Sequence, residues 1–172
     1  ASLGIIMLLF VACGGQSFNT DWRFGKALVI RMTAVEHPRE IRYFDGVKHY
    51  VIRPVQEDTA LVAVRLEVRN QEANVMLFSI NSDTVTMEGK GREKYPALDY
   101  LERREEVEET HPEENAYFPF LWGDVELPQQ CGDPLQNCQL LGWVIFEVPK
   151  DLEPNLVLWD TADSVFLWFE RR

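Results

Sequence analysis

Three cysteines, three histidines and a run of glutamates are the residues in this 172-residue chain that could carry chemistry. A nucleophilic hydrolase needs a Ser or Cys beside a His that a carboxylate orients. No Gly-x-Ser-x-Gly elbow is present, and His37, His49 and His111 each adjoin turn or charge signals, which reads as surface histidine. A zinc hydrolase would want His-Glu-x-x-His on one helix face. His111-Pro112-Glu113-Glu114 lacks the second His and continues into a helix-hostile proline. A blue-copper centre needs two His, a Cys and an axial Met brought together, and no His or Met follows Cys138. Gly89-Lys90-Gly91 is too short to cradle phosphate. No catalytic set, metal site or cofactor is expected, and the chain reads as a non-enzyme.

Two other groupings point to covalent and electrostatic roles. Cys131 and Cys138 flank Gly132-Asp133-Pro134-Leu135-Gln136-Asn137, a turn-forming composition. Their spacing does not match the Cys-x-x-Cys of zinc or redox sites, so a structural disulfide is expected, with two free thiols as the alternative. Closing a loop of about eight residues would contribute roughly 2.5 kcal/mol in the chain-entropy account. Between residues 102 and 114 stand seven acidic and two basic residues. A solvated charged face is the ordinary reading of such a run. A patch for a basic partner and a Ca²⁺ site are the functional ones, although calcium loops alternate Asp/Asn with Gly and this run does not. The expected partner contact combines Glu105, Glu106, Glu108 and Glu109 with the nearby aromatics Tyr117, Phe118, Phe120 and Trp122.

The start of the chain carries the most specific signal. Residues 3–12 form an apolar run of signal-peptide length, without an initiator Met or a basic region before it, so the chain reads as truncated at its beginning. As written the run is too short to span a bilayer, and an upstream extension could change that. Phe10-Val11-Ala12-Cys13-Gly14 then resembles the lipobox of bacterial lipoproteins, in which small residues precede a Cys that is acylated. Phe10 departs from the usual Leu. The resemblance implies lipid attachment at Cys13 and a place on the extracytoplasmic face of a membrane. An ordinary cleaved signal, or a short membrane-associated helix with a buried Cys, is the alternative. Disulfides belong to that same exported compartment.

The elements that would position these groups are strands. Leu28, Ile30, Met32 and Ala34 alternate with Val29, Arg31, Thr33 and Val35. Val62, Val64, Leu66 and Val68 alternate with Ala63, Arg65, Glu67 and Arg69, the pattern of one face in a core and one in water. Further strands are predicted at 50–53, 75–80, 84–87, 156–159 and 165–169, the last two joined as a hairpin across 160–163. Residues 139–148 are apolar on both faces and should be central. Short strands with polar turns and no long helical period predict an all-β, antiparallel immunoglobulin-like β-sandwich. Residues 1–13 are the signal and lipobox segment, 14–25 a tether, and 26–172 the sandwich. A long acidic inserted connection runs over about 88–128, with a helical turn or two within 97–109.

From residue 27 to 169 the strand pattern is similar to the telokin-like, immunoglobulin-fold domains of unknown function found in bacterial lipoproteins and secreted antigens. The stretches 61–70, 142–150, 156–159 and 164–169 carry that likeness, which implies fold and compartment but no catalytic residues.

The formal net charge of -11 excludes a general phosphate-backbone binder, so no nucleic-acid partner is expected. It also argues against electrostatic docking on anionic lipid. The resulting expectation is a lipid-anchored binding or interaction module, held to the membrane through its N-terminal lipid and meeting a protein partner in the envelope. An accessory structural subunit of a membrane or envelope complex is the alternative.

Overall fold

The computed structural model describes residues 18–111, 116–130 and 138–170. Among these the fold is almost entirely antiparallel β. One sheet has the order β1 (Arg23–Phe24), β2 (Leu28–Glu36), β5 (Thr59–Asn70) and β11 (Gln139–Pro149). A second has the order β13 (Asp163–Trp168), β12 (Pro154–Thr161), β7 (Val85–Gly89) and β8 (Lys94–Pro96). β6 (Val75–Ile80) and β10 (Gly123–Pro128) form a two-stranded ribbon, and β3 (Ile41–Phe44), β4 (His49–Ile52) and β9 (Glu105–Val107) a small third sheet.

The main core forms because inward residues of the first sheet meet those of the second sheet and the ribbon. Leu28, Ile30, Met32, Val62, Val64, Leu66, Val144 and Phe146 pack in one cluster with Ile80, Met87, Leu127, Val157, Trp159 and Leu167. The expected β-sandwich is therefore present. Burying a leucine or phenylalanine side chain in such a core contributes about 1.5–3 kcal/mol.

The other face of β5 differs from expectation. Leu61 and Ala63 are fully buried in a second cluster with Ile41, Tyr43, Tyr50, Ile52, Leu98, Trp143 and Ile145. β3 and β4 pair so that Ile41 lies opposite Ile52 and Tyr43 opposite Tyr50. Those four side chains share one face, and that face needs an apolar partner. They cover the half of β5 that alternation alone assigns to water.

Two strand assignments change in detail. The ladder between β2 and β5 slips between Met32 and Ala34, so Ala34 leaves the face of Leu28, Ile30 and Met32 and packs on the second cluster. Val35 takes its place against the main core. A bulge is how one strand serves two faces out of phase. β11 is buried on both faces, yet it ends its sheet rather than sitting at the centre. Its outer edge is occupied by loop backbone: Phe120 N donates to Trp143 O at 2.8 Å, Trp143 N to Phe118 O at 3.2 Å, and Leu98 N to Ile145 O at 2.8 Å.

The stretch expected as one long connection over about 88–128 contains three strands. β8 extends the second sheet, β9 the third, and β10 pairs with β6 through six residue pairs. Its α-helical content among the described residues is the turn α1 (Tyr100–Arg103), capped by the Asp99 carboxylate, which accepts from Leu101 N and Glu102 N. The tether assigned to 14–25 also shortens. Phe18 packs on the main core, Asn19 is buried, and Arg23–Phe24 pairs with β2, so from Phe18 on the chain belongs to the sandwich.

Candidate functional site

At one end of the sandwich three loops converge, and each joins a proline to a basic residue: His37-Pro38-Arg39 after β2, Arg53-Pro54 after β4, and Pro149-Lys150 at the end of β11. Proline has no N–H to extend a ladder, so each strand stops there and its flanking side chains turn outward. The loops border an open cavity of about 600 Å³ whose lining also includes Val55, Ala60 and Leu61. That size is ordinary for a small-molecule site.

The β4–β5 loop is held in place from beneath. Glu147 on β11 accepts from Val55 N at 2.7 Å and from Thr59 Oγ1 at 2.6 Å, and Arg103 Nη2 donates to its other oxygen at 2.7 Å. Burial works against the ionised carboxyl of Glu147, but these three donors outweigh it and hold its pKa below the usual carboxylate value. Lys150 N donates to Asp58 O at 3.0 Å, and the Lys150 ammonium donates to the carbonyl of Glu57. Arg53 donates through Nε to Glu40 and through Nη1 to Glu105, both at 2.9 Å.

The cavity lining carries Arg39, Lys150 and the carboxylate of Glu57, besides Arg53, whose charge Glu40 and Glu105 already meet. It is a basic concavity on an acidic chain, and it can hold an anion beside an apolar group. Thr59 supplies a hydroxyl there, but its Oγ1 is engaged with Glu147 and with Gln56 O. Among the described residues no group of three or more His, Cys, Asp or Glu is placed to hold a metal ion. No helix among them is long and apolar enough to cross a membrane.

The residues that the sequence singles out are distributed otherwise. Glu105 and Glu106 lie in β9, where Glu105 meets Arg53 and Glu106 meets Lys48 at 2.6 Å. Part of the acidic run is thus neutralised within the protein, while Glu108 and Glu109 stay exposed. Tyr117 is half-buried against Trp143, with ring centroids 5.1 Å apart. Its hydroxyl donates to Glu36, and burial together with that carboxylate pushes its pKa up to about 12. Trp122 is half-buried and meets Tyr100 edge-on at 5.4 Å. Phe118 is 56% exposed, whereas Phe120 is 1% exposed and belongs to the main core, so Phe120 is not available as a contact residue. Cys13 and Cys131 lie outside the described residues, and Cys138 stands directly before β11.

Sequence reading missed the loop-end residues. Their signal is the repeated pairing of proline with a cation at 37–39, 53–54 and 149–150, which means nothing until the topology brings the three segments together.

No family model and no curated protein matches the chain. Among solved structures it is similar to a secreted protein from Mycobacterium tuberculosis, at 9% identity over 86% of this chain and 92% of that one, with a TM-score of 0.48. It is also similar to an uncharacterized β-sandwich protein from Clostridium difficile 630, at 10% identity over 90% and 93% of the two chains, with a TM-score of 0.44.

Proposed function

We propose that this chain is a lipid-anchored, extracytoplasmic β-sandwich that works as a binding module rather than an enzyme. The observation that carries the reading is the basic, apolar-walled cavity formed by three loops at one end of a rigid double-cored sandwich. Rigid frames with ligand groups on their loops are the usual build of binding domains. The lipobox-like Phe10-Val11-Ala12-Cys13-Gly14 supports acylation at Cys13, which would confine the module to a membrane face. An exported compartment is also where a Cys131–Cys138 disulfide persists. The telokin-like resemblance of the strand pattern supports the same compartment. Phe118, 56% exposed, and Leu121, 55% exposed, form the part of the aromatic segment open to an envelope protein.

Mass spectrometry of the protein recovered from intact crosslinked cells tests this reading. An acyl mass on Cys13, a two-hydrogen deficit joining Cys131 to Cys138, and a crosslinked envelope neighbour are expected. An unmodified Cys13 within a longer, uncleaved N-terminus would overturn the anchor.

One observation supports a second reading, an accessory subunit packed on a larger complex. The outer face of the β12–β13 hairpin shows Phe166, 50% exposed and stacked on Trp168 at 6.5 Å. Stable co-purification of a membrane complex in detergent, lost in Phe166→Asp, would decide for it.

A further inference from the structure

We infer that the loop-end cavity binds an anionic amphiphile: a carboxylate or phosphate head carried on an acyl-type tail. This rests on the binding-module reading and names the ligand class of the same cavity.

The head group follows from the charges. Among the described residues Arg39 meets no carboxylate within ion-pair distance, and the Lys150 ammonium is engaged by the neutral carbonyl of Glu57. Arg53 differs, because Glu40 and Glu105 already hold it, and it serves as wall. Arg39 and Lys150 therefore line the cavity without a paired carboxylate, on a chain whose net charge is -11. Glu57, the one carboxylate in the lining, is exposed as both cations are and offsets one of them.

The tail follows from the walls. Pro38 and Pro54 offer no N–H, and Val55 and Ala60 offer only hydrocarbon side chains. A polyhydroxylated ligand would lose water hydrogen bonds against these walls, with Gln56 and Glu57 among the polar side chains left to replace them, since Thr59 is engaged. No Phe, Tyr or Trp lines the cavity, and the one aromatic ring in its lining is the imidazole of His37. An acyl chain needs neither. Val55, 70% exposed, stands at the mouth where the tail would enter.

The full chain titrated with sodium laurate below its micelle concentration, followed by calorimetry, tests the inference. Parallel arms use phosphatidylglycerol vesicles, dodecyltrimethylammonium and inorganic phosphate. Saturable one-to-one binding of laurate is expected. It should weaken at least tenfold in the double variant Arg39→Ala/Lys150→Ala and in Val55→Asp. All three positions are exposed, so unchanged thermal midpoints will show that these variants fold. Binding of laurate alone assigns a monomeric ligand, and vesicle binding lost in the same variants assigns a bilayer headgroup. The inference is overturned if neither probe saturates, if the cationic surfactant or free phosphate binds as tightly as laurate, or if the variants bind unchanged. Loss of the Cys13 lipid would defeat the anchor and leave laurate binding intact, so the two readings fail separately.

Discussion

A Cβ placed on Gly142 would stand 2.7 Å from the Cα of Phe120 and 3.1 Å from its backbone nitrogen. The connection that covers the edge of β11 can hydrogen-bond there only because position 142 has no side chain. Phe120 in turn fills the main core against Trp159, with ring centroids 5.8 Å apart. One glycine thus lets a loop seal a sheet edge and deliver an aromatic to the interior at the same place.

Gly142→Ala should therefore destabilise the protein by about 1–3 kcal/mol, the usual result of forcing atoms into a packed site. The atoms met are backbone and cannot rotate away. Thermal denaturation should show the midpoint falling by about 2–4 °C per kcal/mol for a chain of this size. An unchanged midpoint would mean that the loop does not lie on β11 in solution.

Acid should unfold the protein through a few identifiable carboxylates. Burial opposes the ionised form of Asp163, but the N–H groups of Leu28, Ala27 and Ser164 donate to it and hold its pKa below the ordinary value. Glu67 and Glu147 are lowered against burial in the same way, by arginine and hydroxyl donors. A carboxyl depressed in the folded state stabilises fully above its unfolded pKa of about 4, and that share is lost as pH falls through the lower folded value. Urea midpoints measured downward from about pH 5 should fall, and Asp163→Asn should show a shallower decline. Equal slopes in the two proteins would remove Asp163 from this account.

The parts of this architecture legible in the sequence were those where one element serves one face. Val62, Val64, Leu66 and Val68 alternate without a break and face a single core. Thr33 defeats the same reading, because the bulge beside it moves Ala34 across the sheet while both neighbours look strand-like. β3 and β9 are too short to show a period, and their existence depends on the apolar face that β5 and β11 offer them. β10 was hidden because Gly123 and Pro128 bound Val125 and Leu127 so closely that the segment reads as a turn. The loop-end cavity was illegible for a different reason. Its cations come from segments far apart in the chain, while the acidic run that drew notice is partly cancelled by Arg53 and Lys48.

Glu67 organises the outer face of β2 and β5. Its buried carboxylate receives Arg31 at 2.7 Å and Arg69 at 2.5 Å, and both guanidinium groups lie over Trp22, at 4.5 and 4.9 Å. Glu67→Ala should cost about 2 kcal/mol, less than the 3–5 kcal/mol of a fully buried pair because both arginines reach water. Trp22→Ala should cost about 1 kcal/mol through lost cation–π contact. The double variant should fall short of the sum, since the three groups share partners. Strict additivity in urea unfolding would show that Trp22 and Glu67 act independently.

The aromatic segment divides into a part that folds the protein and a part that can meet something else. Phe120, 1% exposed, is core, so Phe120→Ala should destabilise by about 3–5 kcal/mol. Phe118, 56% exposed, meets Tyr43 edge-on with ring centroids 6.4 Å apart, and Phe118→Ala should cost less than about 1 kcal/mol. A partner that uses this surface must therefore be lost in Phe118→Ala or Leu121→Ala at unchanged thermal midpoint. If pull-downs fail only with Phe120→Ala, and only as far as the protein unfolds, the aromatic segment is structural.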